Sequence, residues 1–67
     1  MYLIARTDRN TGAQKDWLIE VSLNAELIHM TRTRQKARRF RSKADAQAVK
    51  SHLESIEPRE NWKIVEA

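Results

Sequence analysis

The chain contains no cysteine, which excludes disulfides and thiolate metal sites and fits a reducing compartment. One glycine and one proline in 67 residues leave no material for a flexible linker or for a glycine-rich loop that cradles phosphate. No apolar stretch comes near the ~20 residues of a membrane-spanning helix. The opening Met-Tyr-Leu-Ile-Ala lacks the basic region of a signal peptide. These absences predict a complete, soluble, cytoplasmic chain. The two histidines, His29 and His52, have no metal-ligand spacing with each other or with a carboxylate. Ser51 and His52 are adjacent on a helical stretch, so their side chains diverge by roughly 100°. A domain of this size also has little room for a substrate pocket. No catalytic residue, metal or cofactor is expected, and the chain reads as a non-enzymatic protein.

Hydrophobic residues make up 40% of the chain and charged residues 33%, a balance that supports a globular core rather than disorder. The length allows one compact domain, residues 1–67, that buries only ~60% of its unfolded surface. Tyr2–Thr7 is β-rich and ends in Asp8-Arg9-Asn10-Thr11-Gly12, where the single glycine suits a hairpin bend. Asp16–Leu23 alternates, with Trp17, Ile19 and Val21 on one face and Glu20 and Ser22 on the other; Leu18 and Leu23 blur the alternation without overturning it. Asn24-Ala25 is a second turn, and Glu26–Thr33 a third strand with Leu27, Ile28 and Met30 as its apolar content. Short turns between strands imply antiparallel pairing, hence a three-stranded meander.

A helix is predicted over Lys43–Ile56. Ser42 is its N-cap and Asp45, three residues on, completes a pair resembling a capping box. Ala46, Val49, Leu53 and Ile56 recur at three- and four-residue spacings and form one apolar stripe. Ala44 and Ala48 flank the stripe and would allow close approach, and Lys50 and Glu54 make an i,i+4 pair. Pro58 ends the helix. Trp62–Glu66 is a final strand, with Trp62 and Ile64 pointing one way, that must join the existing sheet. The fold class is α+β in the order β-β-β-α-β, with Val49 and Leu53 expected to meet Trp17 or Ile19.

Charge is the uneven property. Arg32, Arg34, Lys36, Arg38, Arg39, Arg41 and Lys43 are seven basic residues in twelve, with no acidic residue among them. The rest of the chain holds six basic and nine acidic residues, so +7 here and −3 elsewhere give the net +4. Such a segment suits nucleic-acid phosphates, and five of the seven are arginine, whose planar fork matches phosphate oxygens and stacks on bases. The rival to that first reading is an acidic protein surface, which the same patch would attract and steer. A solvated loop whose cations pair with acids on the helix and sheet is the third reading. A membrane surface is not expected, because Phe40 is the only large aromatic in the segment. Ala37 and Phe40, at i,i+3 spacing, read as one helical turn packed on the sheet. Trp17, Trp62 and Met30 read as core, and His29 as a sheet-surface residue. An unpaired sheet edge leaves homodimerisation open.

Ala37, Phe40, Ser42, Asp45 and Ala46, with Ile64-Val65-Glu66 at the end, resemble a pattern of small phage- and prophage-encoded proteins. In those, a charged turn leads through Ala-x-x-Phe-x-Ser/Thr-x-x-Glu/Asp-Ala into a helix, followed by a closing strand. The resemblance covers the C-terminal half and implies this fold and a mobile-element origin. It assigns no functional residue. Accessory factors of that kind bind host proteins or DNA, so it implies nucleic acid or an acidic host protein as partner.

Overall fold

Residues 2–5, Tyr-Leu-Ile-Ala, are apolar without alternation, the mark of a strand buried on both faces. The computed structural model describes residues 1–22, 24 and 27–67, and in it Leu3, Ile4 and Ala5 are at most 1% exposed. They belong to β1, Tyr2–Thr7. β1 lies between β2, Gln14–Val21, and β4, Asn61–Glu66, while β3, Ile28–Thr31, flanks β2 on the outside. The sheet order is therefore β3-β2-β1-β4, with every pairing antiparallel. One helix, α1, spans Lys43–Ile56 and covers one face. The succession is β-β-β-α-β, and the closing strand takes the free edge of β1.

The first hairpin turns at Gly12, whose φ of 74° is open to glycine without a Cβ penalty. Its other support is the Asp8 carboxylate, which accepts from the backbone N–H groups of Asn10 and Thr11 at 2.8 and 3.1 Å. Those two bonds hold the Asp8 carboxyl below its ordinary pKa of 3.8. Strands two and three are shorter or shifted relative to the sequence pattern. β2 starts at Gln14 and β3 spans four residues, because the Thr33 N–H turns back to the Thr31 hydroxyl at 3.0 Å. Leu27, expected in the third strand, is 53% exposed and precedes it. Leu23, Ala25 and Glu26, assigned above to the second strand, the turn and the third strand, lie outside the described residues.

The face of β2 that meets α1 is the opposite of the predicted one. Leu18 is fully buried with Ile4, Phe40, Ala46, Leu53 and Trp62, and Val49, Ile56, Val21 and Met30 pack around them. Trp17 and Ile19 are only half-buried and stand outside this cluster. Trp17 pairs with Ala5 and Thr31, on the face away from the Arg6–Asp16 and Leu18–Met30 pairs. Ile19 is the extra residue of a bulge, since Leu18 opposes Met30 while Glu20 opposes His29. One inserted residue changes the phase of a period-two pattern. It lets Leu18 and Val21, three apart, both reach the core. Val49 and Leu53 accordingly pack into the cluster of Ile4, Leu18 and Trp62, and not against Trp17 or Ile19. Trp62 is core as expected; Trp17 is not.

The helix begins as predicted: the Ser42 hydroxyl accepts from the Asp45 N–H at 3.1 Å. Ala46 and Leu53 are its buried residues, and full burial of one leucine contributes roughly 1.5–3 kcal/mol. Ala44 and Ala48 are exposed rather than in close contact with the sheet. At the far end the Glu57 N–H bonds the Leu53 carbonyl at 2.8 Å, and the Trp62 indole N–H donates to the Glu57 carbonyl at 3.4 Å. The second bond ties the start of β4 to the end of the helix. His29 is exposed, as expected of a sheet-surface residue.

Candidate functional site

The basic segment is tied to the sheet without forming a strand of it. After β3 a single 3-10 turn, Arg34–Lys36, packs against β2. The chain then runs extended, where a helical turn over Ala37–Phe40 was predicted. The Arg38 N–H bonds the Leu18 carbonyl of β2 at 2.9 Å. Two residues later Phe40 pairs with Tyr2 of β1, each N–H donating to the other's carbonyl at 2.8 and 2.9 Å. Direct pairing of β1 with β2 runs only from Ala5 to Thr7. Beyond it, Arg38–Phe40 takes hydrogen bonds from both strands. Ala37 and Phe40 are buried, 7% and 5% exposed, and anchor the segment from below.

Between these anchors the cations face water. Arg32, Arg34, Lys36, Arg38, Arg39, Arg41 and Lys43 are all exposed. None takes part in an ion pair among the described residues, where the pairs are Arg6–Asp16, Arg6–Glu60, Lys15–Glu60 and Lys50–Glu54. The acids in these pairs, Asp16, Glu54 and Glu60, all take their cations from outside the segment. Arg6 and Asp16, cross-strand neighbours, make a two-pronged contact, and the bond to Asp16 raises the Arg6 pKa above its ordinary value.

The seven cations divide in space. Arg38, Arg39 and Arg41 line one groove of about 450 Å³ beside the first turns of α1. Its remaining walls are Phe40, Asp45, Ala48 and Val49. The Arg38 guanidinium lies over the Phe40 ring, 5.1 Å from its centroid, within the range of a cation–π contact. Arg34 is turned aside, with its guanidinium donating to the Glu66 carbonyl at the end of β4. Arg32, Lys36 and Lys43 line no part of this groove.

No protein-family model, curated protein or solved structure matches the chain. Its chemistry is therefore read from its own residues. The groove residues that charge alone did not single out are Asp45, Ala48 and Val49. They were legible only as a cap and as a packing stripe. Their spacing of three and four, one turn after the basic run, is the signal that puts them beside it. Among the described residues no three His, Asp or Glu side chains gather as metal ligands would, and no helix is long and apolar enough to cross a membrane.

Proposed function

We propose that the chain is a small, non-enzymatic, cytoplasmic nucleic-acid-binding protein that holds phosphates on the exposed cations of residues 32–43. The observation that carries the reading is that seven basic side chains are displayed on an anchored segment and not one is spent on an internal ion pair among the described residues. A charge-balancing loop would bring its cations to the acids of the helix and sheet. Here the acids that do pair among the described residues, Asp16, Glu54 and Glu60, are met by Arg6, Lys15 and Lys50 instead. The backbone anchors at Arg38 and Phe40 also reduce the ordering cost of binding, as a floppy solubilising loop would not.

A single binding module covers ~600–1,000 Å², against a total accessible surface of 4691 Å². Twelve residues with seven long cationic side chains supply much of such a footprint. An acidic protein partner is the weaker alternative. Protein interfaces centre on apolar and aromatic anchors, and the large apolar residues exposed among those described, Met1 and Leu27, lie outside the segment. An origin in a phage or prophage accounts for the helix-entry pattern described above and accords with this role.

The test is charge reversal. Labelled duplex DNA, single-stranded DNA and RNA are titrated at low and physiological salt with the parent and with Arg38→Glu/Arg39→Glu, after circular dichroism shows the variant folded. Binding by the parent should weaken steeply with salt, each engaged cation adding ~0.9 to the log–log slope on duplex and ~0.7 on single strands. The double variant should lose most of its affinity. A folded variant that binds as the parent does would reduce the segment to a solubilising surface.

A further inference from the structure

We infer that the groove beside Phe40 is a subsite for one unpaired nucleotide, so that the chain prefers single-stranded nucleic acid to duplex; this rests on the reading above. The groove differs from a plain phosphate site in two ways. Part of its lining is apolar, from Phe40, Ala48 and Val49, and it includes a carboxylate, Asp45. Beside its three arginines the groove thus offers apolar contact and an acceptor, neither of which a phosphate needs. They suit a base, whose π-face needs apolar or planar contact and whose amino group needs an acceptor.

The planar partner is Arg38. Its guanidinium lies over the Phe40 ring while the residue as a whole is exposed. One side of the cation is therefore held by the ring and the rest faces solvent. Arginine planes serve as stacking surfaces for unpaired bases. The backbone that carries this one is held from two directions, the Arg38 N–H bonding Leu18 and the Phe40 backbone Tyr2, and the ring contact positions the plane itself. A base stacked on Arg38 sits within the groove, with Arg39 and Arg41 on the rim to take the flanking phosphates. Asp45 accepts from an exocyclic amino group, as cytosine, adenine and guanine carry and as thymine and uracil do not. A base-paired strand cannot offer a base face in this way.

The subsite is tested by fluorescence anisotropy at low salt, with a labelled single strand of mixed sequence, the same sequence as blunt duplex, and oligo(dC) against oligo(dT). The parent should bind the single strand more tightly than the duplex and oligo(dC) more tightly than oligo(dT). Arg38→Lys keeps the charge and removes the plane. It should weaken single-strand binding by roughly fivefold or more, the lower end of what one stacked base contributes, with the salt slope unchanged. Duplex bound as tightly as single strand, or Arg38→Lys binding like the parent, overturns the subsite and leaves the phosphate surface standing. Binding of neither form at low salt overturns both. If Arg38→Lys does not fold, the parent's preference between single strand and duplex decides alone.

Discussion

Replacing Leu18 by alanine probes the bulge that sets the phase of β2. Leu18 is fully buried in the cluster with Ile4, Phe40, Leu53 and Trp62, so the truncation leaves a cavity under the helix. Such changes cost ~2–5 kcal/mol. A chain of this length has a total stability of about 3–10 kcal/mol at the usual value per residue, so Leu18→Ala removes a large share of it. Ile19, the extra residue of the bulge, is half-buried and outside the cluster. Ile19→Ala should cost about 1 kcal/mol, near the centre of ordinary substitutions. Leu18→Met, which conserves volume, should stay within about 1.5 kcal/mol. Urea unfolding followed by far-UV circular dichroism ranks the three. Simple alternation predicts the reverse order, with Ile19 inside and Leu18 outside. If Ile19→Ala lowers the midpoint more than Leu18→Ala, the bulge and the face assignment are wrong.

Two further outcomes follow from local geometry. Ser42→Ala removes the acceptor for the Asp45 N–H and should destabilise by roughly 0.5–2 kcal/mol, with Ser42→Asp close to the parent; an unchanged urea midpoint for the alanine variant would rule out the cap. Asp8 has its folded-state pKa lowered by the N–H groups of Asn10 and Thr11, so its charge adds stability above the ordinary carboxylate pKa, and that contribution fades as acid protonates it in the folded state. The stability gap between the parent and Asp8→Asn should therefore narrow as pH falls below the ordinary carboxylate pKa of 3.8 and through the lowered folded-state value, and a gap that widens would contradict the turn geometry.

Elements whose boundary is set by local chemistry were readable in the residues. Ser42, Asp45 and Pro58 bracket a helix whose range agrees with the structure, and Asp8 through Gly12 marks a turn. β1 was readable as a β-rich segment, but its place between β2 and β4 was not, because the closing strand joins it from the far end of the chain. The face of β2 was not. Trp17, Ile19 and Val21 alternate as cleanly as a core face would, and nothing local announces that Ile19 is extra. That residue is expelled by pairing with β3, a contact between separate strands. The same limit applies at the groove. The run of cations was visible as charge, but a strand-like connection hydrogen-bonded to both Leu18 and Tyr2 depends on where β1 and β2 part. Ala37 and Phe40 were recognisable as buried, although their spacing suggested a helical turn and the backbone is extended.

The bonds that pin the Arg38–Phe40 connection all come from the main chain. No substitution removes them except proline, which lacks the N–H and would break the bond at position 38 or 40. The buried side chains here, Ala37 and Phe40, occupy different positions from the exposed cations. Change at 32, 36, 39, 41 and 43 therefore meets little resistance from the fold. Such a segment can gain, lose or exchange charges over generations while the scaffold beneath it stays intact, which leaves the choice of ligand free to drift independently of stability.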